Sequence, residues 1–182
     1  MTLFGWALLA LLAHDPKQPA LPGHEETPAE AFARRVGIAH AIVVAAEEDQ
    51  GWMSDRAEAA LLVSIALGEG GLARDVDVGP CYRGPGHRTR CDSGASASTF
   101  QVWASAWGHT PEQIFADRVL AARLALRAAR GSLGMCRSLP AEDRLSGLAG
   151  RCILGLEAAR GHYRRWMWLM AWEPSTAKGA WR

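Results

Sequence analysis

The chain has 182 residues, of which 49% are hydrophobic and 21% charged, close to the averages for globular proteins. This length fits one domain with a tail, or two small domains, and the composition excludes a disordered or collagen-like chain. The 20 Lys and Arg residues against 19 Asp and Glu residues leave a net charge of +1, so nothing in the bulk charge indicates a nucleic-acid partner.

Residues 1–26 are predicted to be an N-terminal segment and linker. The apolar run Leu3–Leu12 is too short to span a bilayer and fits the hydrophobic region of a signal peptide, with Ala13 before a cleavage point. No Lys or Arg precedes the run, however, and Leu11 stands where a small residue is usual. The alternative is an apolar N-terminal helix. Neither alternative predicts stable insertion into a membrane.

Residues 27–173 predict a mostly α-helical domain, and residues 174–182 a short tail. Capping residues and stop signals define helices over about 28–48, 56–68, 111–130, 140–149 and 152–172. Residues 79–97 lack helical periodicity and are rich in Gly, Pro, Ser and Asp, which is typical of a long loop with room for a small hairpin. Other strand signals are almost absent.

Four cysteines lie in two close pairs, Cys81 with Cys91 and Cys136 with Cys152. The absence of a Cys-x-x-Cys motif argues against a zinc ribbon, and we expect neither a metal nor another cofactor. We favour disulfides within each pair, although the sequence permits three connectivities and four reduced thiols are the alternative. Disulfides would indicate an oxidising compartment, and therefore a periplasmic or secreted protein.

Glu69 is the acidic residue in the most unusual place. It follows Leu62 and Ile65 by seven and four residues, so it falls on the apolar face of the helix predicted over 56–68. Burial there and the negative end of the helix dipole would both raise the pKa of Glu69, as a general acid for glycosidic cleavage requires. Gly70 leaves space beside it for a ligand. The alternative is an exposed Glu at a frayed helix end.

Two later elements complete a recognisable order: Ser98-Thr99-Phe100-Gln101, and Leu148-Ala149-Gly150. A Glu that closes a helix, a Gln element and a small-residue helix end together resemble the lysozyme-like superfamily, in the branch of lytic transglycosylases and goose-type lysozymes. The resemblance covers about residues 54–172. It makes Glu69 the catalytic acid and aligns Gln101 with the Gln of a Gly-Leu-Met-Gln element.

The chain departs from that family at several positions. Gly70 replaces a Ser, Ser98 replaces the first Gly of the Gln element, and Gly147-Leu148 replaces a Tyr-Asn pair that precedes the family's final Gly, here Gly150. In transglycosylases that Tyr helps to orient the Glu. Tyr163 or Tyr82 could take its place in space, whereas His162 is predicted to be structural or exposed.

The resemblance implies cleavage of the β-1,4 bond between N-acetylmuramic acid and N-acetylglucosamine in peptidoglycan. A lytic transglycosylase needs Glu69 alone, whereas a hydrolase needs a second carboxylate roughly 5–5.5 Å away as nucleophile, or roughly 6.5–9.5 Å away to admit a water. Asp75, Asp77 and Asp92 are the candidates; we choose Asp77 and Asp92 as catalytic and assign Asp75 to substrate binding. Each also fits an ordinary turn aspartate. We favour the transglycosylase.

Gln101 would hydrogen-bond a sugar or orient the site, unless it merely caps a turn. Trp103 and Trp107 lie four residues apart and would stack on the glycan, or else pack in the core. Two other classes of function stay open: a non-catalytic glycan-binding or structural module on the same fold, and a cysteine-rich helical interaction protein. The sequence does not predict an oligomeric state.

Overall fold

The computed structural model describes residues 1–14, 23, 25–49, 51–79 and 95–174. Within these residues the helices are α1 Leu3–Leu12, α2 Pro28–Glu48, α3 Asp55–Gly68, α4 Arg74–Val78, α5 Pro111–Ala116, α6 Arg118–Met135 and α7 Leu156–Ala171. Strands β1 (Ser96–Ala97) and β2 (Val102–Trp103) pair in an antiparallel hairpin, and 3₁₀ helices cover Ala104–Trp107 and Ala141–Ala149. The mostly α-helical prediction is confirmed. Strand β1 lies at the end of the predicted loop 79–97, and β2 lies just beyond it.

Helix α3 occupies the centre of the structure. It packs against α1, α2, α6 and α7, and every residue from Ala57 to Leu67 is buried. The helix is therefore buried around its whole circumference, and the single apolar stripe predicted through Leu62 and Ile65 is too narrow a description. Ser54 caps its start by accepting a hydrogen bond from the amide of Ala57.

Helix α1 packs into the same hydrophobic core as the helices that follow it. Trp6 and Leu11 are fully buried, and the Trp6 ring meets Trp172 edge to face at 6.2 Å between ring centroids. The Arg56 guanidinium lies 3.6 Å from the centroid of the Trp6 ring, a cation–π contact. The apolar run in the N-terminal segment is thus a packed helix in this structure.

Capping motifs fix the helix starts where the sequence predicts them. Thr27 and Thr110 each form a complete capping box, with Glu30 and Gln113 respectively. One prediction fails at Asp117, which has an extended backbone and accepts a hydrogen bond from the amide of Leu120. The helix predicted over 111–130 is therefore two helices, α5 and α6, with Asp117 as the cap of the second.

Three further segments differ from the predictions in their bounds or in their type. Helix α6 continues through Gly131 and Gly134 to Met135, because packing outweighs the weak helix propensity of glycine. Helix α7 begins at Leu156 rather than near 152, after Gly155 with φ of 63°. The segment predicted as a short helix after Pro140 is a 3₁₀ helix.

A disulfide joins Cys136, at the end of α6, to Cys152, which precedes α7; their Cα atoms are 5.3 Å apart. This half of the predicted pairing is confirmed. The predicted Cys81–Cys91 pair lies outside the described residues. No helix in the described ranges is both long and apolar enough to cross a membrane.

Candidate functional site

Glu69 lies where the chain leaves α3. It is the C-cap residue, and its amide donates to the carbonyl of Ile65 at 2.8 Å. Its side chain is 37% exposed, and its Oε1 lies 2.6 Å from Nε2 of His162. The prediction that this carboxylate lies in apolar surroundings is therefore wrong. The turn at the cap brings it to a buried histidine on another helix.

The His162 ring is held from both ends. Its side chain is 3% exposed, and its Nδ1 lies 3.1 Å from Nη2 of Arg165. Because a guanidinium can only donate, we assign Nδ1 as the acceptor and place the ring proton on Nε2, which then donates to Glu69. The Ser64 carbonyl, which also lies close to Nδ1, accepts a hydrogen bond from Arg165 Nε at 3.3 Å. An unprotonated Nδ1 therefore leaves this carbonyl with a donor. Burial lowers the pKa of Arg165 below its ordinary range, while the negative charge of Glu69 acts against that shift.

The close approach of α3 and α7 depends on Gly68. A methyl group there would lie 2.6 Å from Nδ1 of His162 and would collide with the ring. One helical turn earlier, the hydroxyl of Ser64 donates to the backbone carbonyl of His162 at 2.7 Å. Gly68 and Ser64 on α3 thus position the His162 imidazole against Glu69.

A second backbone contact fixes the hairpin beside Glu69. The amide of Gly70 donates to the carbonyl of Thr99 at 3.0 Å. A methyl group on Gly70 would lie 2.7 Å from the Cα of Thr99 and 2.8 Å from its carbonyl carbon, both backbone atoms that cannot rotate away. The absence of a side chain at Gly70 therefore lets the hairpin turn touch the backbone at this position.

The turn of the hairpin is built from two residues with left-handed backbones, Ser98 at φ 66° and Gln101 at φ 49°. The Gln101 side-chain amide donates to the Ser98 carbonyl at 3.0 Å, and the Gln101 backbone amide donates to the same carbonyl. The Gln101 side chain therefore caps its own turn, which is one of the two roles predicted for it. Ser98 occupies a backbone conformation that favours glycine.

The two tryptophans predicted to stack on the glycan lie in different environments. Trp103 ends β2 and is 61% exposed. Trp107 is half-buried against the core, with the Arg127 guanidinium 5.3 Å from its ring centroid. Trp103 alone of this pair offers an open aromatic face.

Two of the aspartates considered as a second carboxylate are buried, whereas the Glu69 side chain is exposed. Asp75 and Asp77 lie on α4 and are buried. Asp77 accepts hydrogen bonds from Nε and Nη2 of Arg118 at 3.1 and 2.8 Å. Asp77 is therefore held in an ion pair between α4 and α6, and its catalytic role stays a prediction. Asp92 lies outside the described residues.

The 3₁₀ helix Ala141–Ala149 ends at Gly150, whose φ is 85°. A methyl group on Gly147 would lie 2.6 Å from the Ser132 hydroxyl, so this glycine lets the segment pack closely on α6. Tyr163, one candidate for the missing tyrosine, stands edge-on to Trp166 at 6.2 Å. Tyr82, the other candidate, lies outside the described residues.

His162 is the residue that sequence reasoning missed. The sequence predicts a structural or exposed histidine here, because it stands without the spacing of metal ligands. The available signal was periodic: Ala159, His162 and Leu169 are the buried residues of α7, spaced by three and seven positions. A histidine on the buried face of a helix needs a polar partner, and Glu69 is that partner.

Among the described residues, no group of three or more His, Cys, Asp or Glu side chains is arranged to hold a metal ion. Comparison of the chain with protein-family models, with curated proteins and with solved structures finds no match in any of the three. The resemblance to lysozyme-like enzymes thus depends on the sequence motifs of this chain alone and stays a prediction.

Proposed function

We propose that the protein is a muramidase that cleaves the β-1,4 bond between N-acetylmuramic acid and N-acetylglucosamine in peptidoglycan, with Glu69 as acid and base. The observation that carries the proposal is the Glu69–His162 pair. A carboxylate at the end of a buried helix has one oxygen 2.6 Å from a buried imidazole, while its side chain stays 37% exposed. A fixed orientation and a position that a ligand can reach are two of the requirements of a general acid.

The hydrogen bond from His162 determines which carboxyl oxygen of Glu69 carries the acidic proton. Because Oε1 accepts from Nε2, a neutral Glu69 carries its proton on Oε2. In the proposed reaction, that proton passes to the glycosidic oxygen as the bond between this oxygen and the muramoyl C1 breaks. The ionised Glu69 then takes the proton of the muramoyl C6 hydroxyl, whose oxygen bonds to C1 and closes a 1,6-anhydro ring.

Burial of the neighbouring aspartates favours the lytic transglycosylase over the hydrolase. A hydrolase needs a second carboxylate that reaches the sugar or a water beside it. Asp75 and Asp77 are buried, and Asp77 is engaged by Arg118. A reaction that uses one carboxylate for both proton transfers has no such requirement.

The hairpin supplies the proposed contact with the glycan strand. The Gly70–Thr99 hydrogen bond holds it beside Glu69, and the exposed ring of Trp103 at its end offers a flat apolar face to a sugar. We propose the periplasm or the exterior of the cell as the place of action, on the strength of the Cys136–Cys152 disulfide. Peptidoglycan is the proposed partner.

The test is mass spectrometry of purified peptidoglycan digested by wild type, by Glu69→Gln and by the matched control Glu47→Gln, which changes an exposed Glu on α2. We expect muropeptides ending in 1,6-anhydro-N-acetylmuramic acid from wild type and control, and none from Glu69→Gln. Reducing-end products that disappear in Glu69→Gln would identify a hydrolase and direct attention to Asp92. Products that persist in Glu69→Gln would remove Glu69 from the reaction.

A non-catalytic glycan-binding module is the second candidate. The observation in its favour is Gln101, whose side-chain amide is used within its own turn. The digestion separates the two, since a binding module would release no soluble product from any wall type yet would co-sediment with insoluble peptidoglycan. Loss of co-sedimentation in Trp103→Ala would then support the module.

A further inference from the structure

A cavity of about 690 Å³ opens between the C-terminal end of α2, the residue Trp52 and one face of α6. Its volume lies within the range of small-molecule sites. The polar and aromatic part of its lining consists of Glu48, Asp49, Trp52, Arg123, Arg127 and Arg130. The proposed muramidase reaction uses none of these side chains.

Two of the three arginines already have carboxylate partners. Arg123 donates from Nε to Oε2 of Glu48 at 2.8 Å, and Arg130 forms an ion pair with Asp49. Arg127 lies between them on the same face of α6, because residues spaced by four and three positions share one side of a helix. No carboxylate of the described residues pairs with Arg127, whose guanidinium instead faces the Trp107 ring. The lining therefore carries one positive charge in excess.

The chemistry of this lining selects a class of ligand. A guanidinium presents paired N–H donors that match the two oxygens of a carboxylate or phosphate. A single excess positive charge suits a monoanion better than a phosphate, which carries about 1.5 to 2 negative charges at neutral pH. Trp52 is 73% exposed, and its ring at the mouth of the cavity offers a flat apolar surface.

We propose that this cavity binds a small monocarboxylate that carries a ring, with its carboxylate on Arg127 and its ring against Trp52. The site is separate from Glu69. Asp49, on the cavity wall, acts electrostatically on Glu58 at the start of α3, and Glu69 ends that helix. Glu58 and Glu69 are eleven positions apart, which is roughly 16 Å along the helix at 1.5 Å per residue. The inference stands whether or not the protein cleaves glycans.

The probe is phenylacetate, titrated into the full-length chain while the indole N–H signals are followed by NMR. The Trp52 signal is assigned from its loss in Trp52→Phe. We expect one saturable site with a dissociation constant of about 1–10 mM, a range typical of fragment-sized ligands. Phenylacetamide keeps the ring without the charge and acetate keeps the charge without the ring; each should bind at least about tenfold more weakly, since each loses one of the two contacts.

Variants locate the site. Arg127→Gln should weaken phenylacetate binding at least about tenfold, the effect of losing a charged hydrogen-bond donor. Gly131→Leu should also abolish binding, because Gly131 lines the cavity and has open space where a side chain would begin. Arg137→Gln removes an exposed arginine outside the cavity and should leave binding unchanged. Thermal unfolding of each variant verifies that it is folded.

Three results would overturn the proposal. The first is the absence of saturable binding by phenylacetate up to about 50 mM, several times the expected constant. The second is unchanged binding in a folded Arg127→Gln or Gly131→Leu variant, which would place the ligand elsewhere. The third is tighter binding of phenyl phosphate, which would show that the cavity selects dianions and that the assigned class is wrong.

Discussion

Nε2 of His162 and Oε1 of Glu69 lie 2.6 Å apart although 93 positions separate the two residues in the chain. Their meeting depends on the packing of α3 against α7, on the missing side chain at Gly68 and on Arg165, which faces the other ring nitrogen. A histidine from a different helix thus contacts the carboxylate that closes α3.

A first prediction concerns the orienting role of His162. His162→Ala removes the donor to Oε1, so the carboxylate samples unproductive rotamers, and we expect kcat to fall about 10- to 100-fold with KM changed less than about twofold. His162→Gln retains an N–H donor of similar reach and should recover part of kcat. Steady-state release of muropeptides gives both constants. A rise in KM at constant kcat would instead assign His162 to substrate binding.

A second prediction concerns Gly70. Gly70→Ser introduces the residue of the resembled family, but its Cβ would collide with the Thr99 backbone. We expect the free energy of unfolding to fall by about 1–3 kcal/mol, the usual cost of overpacking, and activity to fall with it because the hairpin must move. Urea denaturation measures the first effect.

Gly134→Ala is the matched control for that substitution. Gly134 lies in α6, and a methyl group there has open space around it, with no neighbouring atom within 4 Å. Because alanine is the better helix former, we expect this variant to be more stable than wild type by about 0.5–1 kcal/mol. If Gly70→Ser were equally tolerated, the contact with Thr99 would not constrain the hairpin.

The sequence predicts those features that local chemistry determines. The capping boxes at Thr27 and Thr110 give two helix starts, because the motif and its hydrogen bonds lie within four residues. Glu69 at the end of α3 also follows from local signals, a helical run closed by glycines. The mostly α-helical class and the Cys136–Cys152 pair belong to the same group.

What the sequence does not predict depends on contacts between distant segments. The partner of Glu69 comes from α7, and the ion pair of Asp77 comes from α6, so neither follows from residues near them in the chain. The central position of α3 also depends on what packs around it.

A third prediction concerns pH and Glu58. Burial raises the pKa of this fully buried carboxyl from its ordinary value of 4.5 to about 7, and the negative charge of Asp49 acts in the same direction. The folded state therefore retains a proton that the unfolded state has lost between these two values. Stability should fall as pH rises from about 4.5 to about 7, by about 3 kcal/mol in total, and the contribution is constant above that range.

Glu58→Gln tests this assignment. The variant cannot ionise, so the difference in the free energy of unfolding between wild type and variant should shift by about 3 kcal/mol in favour of the variant between pH 4.5 and pH 8. Denaturation curves at several pH values supply the difference, and Glu47→Gln, at an exposed position, should show no such trend. A constant difference across the range would mean that Glu58 ionises as easily in the folded chain as in the unfolded one.

A fourth prediction distinguishes the two tryptophans near the hairpin. Trp103→Ala removes an exposed ring, so we expect KM for glycan strands to rise about tenfold, equivalent to about 1.4 kcal/mol of binding, with little change in stability. Trp107→Ala removes a ring that packs against the core and Arg127, so it should lower stability by about 2–4 kcal/mol. The opposite pattern would place the glycan on Trp107.

A fifth prediction concerns α1. Trp6 is fully buried and contacts both Trp172 and Arg56, so Trp6→Ala should lower the free energy of unfolding by about 3–5 kcal/mol, as expected for a buried tryptophan. Deletion of residues 1–13 should be more severe still, because it uncovers the apolar surfaces of α2 and α3 that α1 covers. Chemical denaturation of the purified variants measures both effects.

Leu9→Ala, at a partly exposed position on the same helix, is the control and should be nearly neutral. A truncated chain as stable as the full one would show that the fold does not need α1 and would favour its removal as a leader.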